Sequence, residues 1–116
     1  MYDRLFKLWY YTISHRQMLL RGRNNNDNGN LDICFFDVEY IEMPIEMDKI
    51  EILSVTQEDR DYIKQKFGDT DKLITVLMSQ NRKYYVVSSV IKIMENNLSM
   101  FELPFDIPCD MGDIYG

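Results

Sequence analysis

The sequence predicts a mainly β protein of the α+β class, with about seven antiparallel strands in a curled sheet or partly open barrel and one short helix at about residues 57–67. Runs of aromatic and β-branched residues are separated by clusters of turn residues, and a single segment carries helix start and stop signals. The short spacing favours sequential antiparallel pairing. The 116 residues suit one domain, predicted over 1–103, followed by an acidic, loose C-terminal tail over 104–116.

Seven segments have strand patterns. In the first segment, both faces carry apolar side chains, which predicts a central strand. The segment 84–95 could also form a helix, because Tyr84, Val87 and Ile91 would share a helical face, but its density of β-branched residues favours a strand. The seven segments cover residues 4–13, 16–23, 31–41, 49–55, 72–79, 84–95 and 98–103.

The clearest turn signal is the Asn-, Asp- and Gly-rich segment 24–30. These residue types tolerate positive φ and bond to their own backbone, so the segment predicts a hairpin between 16–23 and 31–41. Ser14 and His15 predict a second turn, and residues 80–83 a third.

The helix prediction rests on its two ends. Thr56 is a favourable N-cap, and Asp59 stands where a capping box places its acid. Lys64 and Lys66 lie in the last turn, and Gly68 follows it. A helix of about three turns must pack on the sheet to be stable.

The two cysteines, Cys34 and Cys109, lie far apart and belong to no metal-binding spacing. Free thiols in a reducing compartment are the favoured interpretation, and a single bridge between them stays open. The sequence shows neither an apolar run long enough to span a membrane nor a signal peptide. We therefore expect a cytoplasmic protein without membrane association.

The sequence predicts no metal site, no cofactor and no catalytic residue. His15 is the single histidine, so it cannot pair with another in a metal site. As a general base it would need a carboxylate brought close by folding. Asp37 and Glu39 share a strand face and could line a groove, but no sugar-binding pattern surrounds them. We expect a protein that is not an enzyme.

Charge is segregated along the chain. Residues 1–23 carry five basic residues and one acid, and residues 60–92 carry seven basic residues and three acids. Residues 27–59 carry ten acids and one lysine. Pairing between neighbouring strands could cancel these charges. With a net charge of −6, nucleic acid is not an expected partner.

If the charges are not cancelled, the acidic segment predicts a surface that binds a basic protein. Acids alternate there with Tyr and Met, which would supply desolvated contacts inside an acidic rim. An immunity, inhibitor or anti-defence role fits this pattern, and a homo-oligomer is left open. The predicted partner-binding residues are Asp37, Glu39, Tyr40, Glu42, Met43, Glu46, Met47 and Asp48.

The alternative prediction is a small-ligand module. In a curled sheet, aromatic side chains at the open end could stack on a ligand. The residues predicted for that site are Trp9, Tyr11, His15 and Tyr85.

The opening LWYYTISH at 8–15, followed by the LLR at 19–21, resembles a group of small bacterial proteins. Their pattern is an LW-aromatic step, an SH turn and an LLLR strand, with Met18 standing here where the group has leucine. The similarity continues through Ile33, Phe35, Val38, Tyr40, Pro44, the YVV at 85–87 and the acidic turn after Ile93. It implies a β-rich fold and no particular activity.

Overall fold

Six strands close into an antiparallel barrel in the computed structural model, which describes residues 1–23, 29–99 and 102–104. The strand order around the barrel is β1-β2-β3-β6-β5-β4, and β4 pairs with β1 to close it. The elements are β1 Tyr2–Thr12, β2 Gln17–Arg23, β3 Asn30–Glu42, β4 Glu46–Leu53, α1 Gln57–Lys66, β5 Leu73–Ser79 and β6 Arg82–Asn96.

The predicted fold class is confirmed, and the segment 84–95 is a strand. The hairpin between β2 and β3 is confirmed by the pairing of Arg23 with Asn30, although residues 24–28 lie outside the described part. The predicted strand at 98–103 is not found in its described residues, 98–99 and 102–103. Side chains of the barrel instead donate hydrogen bonds to main-chain carbonyls of this segment.

Alternation of side chains along the strands fills the barrel interior. Large apolar side chains from all six strands meet there, and Gly22 leaves room for the buried ring of Phe6 opposite it. The fully or almost fully buried members are Phe6, Met18, Leu20, Leu31, Ile33, Phe35, Val38, Met47, Ile50, Leu77 and Val86.

The link between β3 and β4 closes one end of the barrel. These two strands stand opposite each other in the strand order, so residues 43–45 must cross the barrel end. Met43 packs against the interior cluster, and the Leu8 amide donates to the carbonyl of Ile45 at 2.7 Å. This end, which we call the linked end, also carries the turn between β1 and β2.

Helix α1 covers the outer face of β5, β6 and β3. The predicted capping box is present, because Thr56 accepts from the Asp59 amide and Asp59 accepts from the Thr56 amide. Ile63 packs against Ile74, Val76 and other outward-facing residues of the sheet. A helix this short obtains its stability from that packing.

A second outer face, on β2 and β3, is covered by residues near the C-terminal end of the described chain. Leu103 packs there against Leu19, Cys34 and Phe36. Elsewhere on the barrel, the outer side of β4 and of the first half of β1 is exposed among the described residues.

Candidate functional site

The predicted acidic surface is divided among separate places on the barrel. Asp37 and Glu39 lie at a bulge in β3, Glu42 lies beside α1, and Glu46 and Asp48 lie on β4. The alternation that suggested one continuous rim is interrupted where β3 ends and the link crosses the barrel.

Asp37 is the centre of the first place. Its backbone has φ 56°, a left-handed conformation that Asp tolerates better than most residues and that is common at bulges. Its carboxylate accepts from Arg16 at 2.7 Å, from Ser89 at 2.7 Å and from Lys72. Lys72 also pairs with Glu39 at 3.5 Å. Both basic segments of the sequence thus neutralise the first two predicted acids.

These contacts also set the protonation states. The hydrogen bonds from Lys72 and then Ser89 lower the pKa of Asp37. The hydrogen bond to Asp37 raises the pKa of Lys72. Asp37 stays ionised and Lys72 stays protonated at neutral pH, so neither residue can serve there as a proton-transfer group.

An open cleft of about 520 Å³ adjoins this place. It is lined by Glu39, Asp69, Thr70, Asp71 and Lys72. Two of these lining residues are joined by a hydrogen bond, in which the Lys72 amide donates to the Thr70 hydroxyl at 3.0 Å.

Glu42 and Tyr40 hold the helix against the sheet. The Tyr62 hydroxyl lies 2.9 and 2.8 Å from the two carboxylate oxygens of Glu42, and the Tyr40 hydroxyl donates to Glu42 at 2.7 Å. The hydrogen bond to Glu42 raises the pKa of Tyr40 to about 12. Tyr40 also contacts the ring of Phe67, with centroids 5.3 Å apart. These two predicted binding residues therefore have a role in α1 docking.

The two methionines do not form surface anchors. Met47 is 3% exposed and belongs to the barrel interior, so its prediction as an anchor is wrong. It pairs with Phe6 on the inward face of β4, a position that the sequence pattern assigned to neither face. Met43 is half-buried against the same interior.

Glu46 and Asp48 are the predicted acids that remain on an exposed face. Glu51 follows them on β4, and Asp3 and Leu5 lie on the neighbouring strand. Glu46 lies 3.7 Å from Lys7, and Asp3 lies 3.9 Å from Lys49. Exposed ion pairs of this kind contribute little stability and leave the charge accessible to a partner.

The residues of the predicted ligand site are not brought together. Tyr85 is buried beneath α1, where its ring stacks on Tyr62 with centroids 4.9 Å apart. Trp9 lies on the outer side of the barrel, and the centroid of its ring is 5.5 Å from Cζ of Arg21. Tyr11 and His15 are exposed at the linked end. An aromatic-lined opening is absent from the described linked end, because Met43 and the link cross it.

Ile13 and Ile45 are strongly exposed apolar residues at the linked end that the sequence pattern did not predict as site residues. Ile13 is 85% exposed and Ile45 is 71% exposed, and Tyr11 and Ile41 are exposed near them along the chain. Their positions in the sequence could have indicated this exposure, since Ile13 precedes a turn and Ile45 follows Pro44 between two strands. Side chains at such chain reversals often fall outside the core.

Comparison with known proteins gave no match to a family model, a curated protein or a solved structure. Within residues 1–23, 29–99 and 102–104, no group of three or more His, Cys, Asp or Glu side chains is arranged to hold a metal ion. The ten-residue α1, the helix of the described chain, is too short and too polar to cross a membrane.

Proposed function

We propose that this chain is a non-enzymatic protein-binding module that contacts its partner through the linked end and the adjoining outer face of β4. The observation that carries the proposal is the exposure of Ile13 and Ile45, which lie at the same end of the barrel. Exposed apolar side chains that form a patch mark interaction sites, whereas single ones are common on any surface, and we propose that Ile13 and Ile45 belong to one such surface.

The charge beside these residues supports a partner with a basic surface. The exposed face of β4 and β1 carries four carboxylates, on Asp3, Glu46, Asp48 and Glu51, and two lysines, Lys7 and Lys49. An excess of negative charge beside an apolar centre steers a basic partner and leaves the apolar contacts to provide affinity.

The partner class follows from the same chemistry. A small, acidic protein that occupies a basic surface can act as an immunity protein, an inhibitor or an anti-defence protein. Each of these roles needs the same combination of apolar contact and negative charge.

The test compares two matched double variants, I13S/I45S at the linked end and L73S/I93S elsewhere on the barrel. Leu73 and Ile93 are also exposed, at 42% and 38%. The tagged chain is cross-linked in cells of its natural host, the captured protein is purified, and its affinity is measured by titration. We expect I13S/I45S to weaken binding at least about tenfold and L73S/I93S to leave it within about twofold, since removing central contacts commonly costs more than 1 kcal/mol.

A third variant, D48K/E51K, tests the charge. It should slow association at low salt and lose that effect as salt increases, because screening removes steering. Equal binding by I13S/I45S and the unmodified chain would refute the linked end as the contact. No salt-dependent effect of D48K/E51K would refute the basic partner.

A further inference from the structure

Arg21 connects the barrel to the segment that follows β6. Its side chain is fully buried and donates to both carboxylate oxygens of Asp32, at 2.8 and 2.9 Å. Two of its other N–H groups donate to the main-chain carbonyls of Ser99 at 3.2 Å and Glu102 at 3.1 Å. The arginine side chain therefore supplies hydrogen bonds to these carbonyls, which the amides of a neighbouring strand would supply in a sheet.

Asparagine side chains form a second connection. Asn30 donates to the Leu98 carbonyl at 2.8 Å, and the Leu98 amide donates to Asn96 at 3.2 Å. Asn96 in turn donates to Asp32 at 2.7 Å. Arg21 and Asn30 of the barrel thus bind the main-chain carbonyls of Leu98, Ser99 and Glu102.

The apolar part of the contact is made by Leu103. Its side chain packs on Leu19, Cys34 and Phe36, the outward-facing residues of β2 and β3. We call the described residues 98–99 and 102–104 the strap, and the surface around Arg21, Leu19, Cys34 and Phe36 the strap site.

The strap is held by side-chain hydrogen bonds to its main chain and by one apolar side chain, as a bound peptide ligand commonly is. None of its described residues, 98–99 and 102–104, belongs to a strand. The Arg21–Asp32 pair is bidentate without any contribution from the strap, and Trp9 lies over the guanidinium. The binding surface therefore keeps its own internal contacts when the strap leaves.

We propose that the strap occupies a peptide-binding site within its own chain, and that an extended peptide of the same chemistry from a partner protein displaces it. The site takes a peptide that presents two main-chain carbonyls three residues apart to Arg21. The next residue of the peptide is apolar and fills the position of Leu103. This surface is separate from the linked end, so the proposal stands independently of the function proposed above.

Cys34 reports on occupancy of the strap site. Its side chain is fully buried in the outer cluster, where Leu103 of the strap packs together with Trp9, Tyr10, Val90 and Met94. Burial, together with the nearby Asp32 carboxylate, raises the pKa of the thiol to about 12, so the covered thiol reacts very slowly with alkylating reagents. Labelling by iodoacetamide requires this cluster to open, and comparison of the parent with a strap variant measures how much of that opening is release of the strap.

The experiment uses the full chain with Cys109 replaced by serine, so that Cys34 is the single thiol. E102A/L103A weakens the strap without changing the barrel, because Glu102 holds the Ser99 amide at 2.9 Å and Leu103 is the apolar contact. We expect Cys34 labelling to increase at least about tenfold. A synthetic peptide with the sequence of residues 97–104 should return the rate toward that of the parent, and a scrambled peptide should not.

The matched control is L53A, which removes an apolar contact from the outer cluster beneath α1. Equal acceleration by L53A and E102A/L103A would indicate general opening of the barrel and would overturn the proposal. It is also overturned if the strap variant labels as slowly as its parent, or if the peptide leaves the accelerated rate unchanged. Should E102A/L103A lose its far-ultraviolet circular dichroism, L103A alone is measured against the same outcomes.

Discussion

The Tyr85 hydroxyl donates to the Asp59 carboxylate at 2.9 Å, and this hydrogen bond joins β6 to the first turn of α1. The same carboxylate accepts from Lys83 at 3.1 Å and from both the amide and the hydroxyl of Thr56. A single acid thus caps the helix and fixes it to the sheet.

Asp59 should make the protein sensitive to acid. Burial alone raises the pKa of Asp59, but hydrogen bonds from Thr56, Lys83 and Tyr85 outweigh it and lower the pKa to about 2. The stabilisation is complete above the unfolded-state pKa near 4 and is lost as the pH falls from about 4 to about 2. The shift corresponds to about 2 kcal/mol of unfolding free energy. Urea denaturation at a series of pH values measures this loss.

The variant D59N should be less stable at pH 7 and should lose less stability than the parent between pH 4 and pH 2. D48N, at an exposed carboxylate of β4, is the control and should keep the slope of the parent. A D59N profile parallel to that of the parent would contradict the role given to Asp59.

Replacing Arg21 by methionine should cost about 3–5 kcal/mol of stability, because Asp32 would remain as an unpaired buried charge. The double variant R21M/D32L should regain a large part of that loss, since both charges are then absent. The double-mutant cycle is measured by chemical denaturation, with K7M at the exposed Lys7–Glu46 pair as the control. Additive effects of the two buried substitutions would show that the pair is not coupled.

Gly22 lies where a methyl group would collide with the ring of Phe6. A Cβ at this position would be 2.8 Å from Cε1 and 2.9 Å from Cζ of that buried ring. We expect G22A to destabilise the barrel by about 1–3 kcal/mol. In the background of F6L the same change should cost less, since the smaller side chain vacates this space. Thermal unfolding of the four chains measures the difference, and an equal cost in both backgrounds would be the contrary result.

The turn between β5 and β6 should accept a more favourable pair of residues. Gln80 and Asn81 both have positive φ, 52° and 63°, between the paired residues Ser79 and Arg82. This is the geometry of a type I′ turn, for which Asn-Gly is preferred. We expect Q80N/N81G to raise the unfolding free energy by up to about 1 kcal/mol and N81A to lower it by about 1 kcal/mol. The opposite order of the two midpoints in urea would refute the turn assignment.

Much of the local structure was predictable because its causes are local. The capping box at Thr56 and Asp59 depends on residues three positions apart, and the hairpin into β3 depends on an Asn-rich segment of seven residues. The strand at 84–95 was predicted from β-branched residues, whose side chains suit a pleated surface.

The site was less predictable because it depends on which distant strands meet. Glu46 pairs with Lys7, and Asp37 meets Lys72 and Arg16, only because the barrel closes in a particular register. A shift of one residue in the register of β4 would place Met47 on the outer face, where it was predicted to contact a partner. The buried position of Arg21 has the same origin, since the strap covers it only after folding.

The sequence by itself determined six strand segments, the helix with its cap, and the segregated charges, because spacing and composition act over a few residues. Only the tertiary structure decided which charges cancel, which apolar side chains stay exposed at the linked end, and what covers the outer face of β2 and β3. Those outcomes depend on contacts between residues far apart in the chain, which form only when the strands pair in the register of the closed barrel.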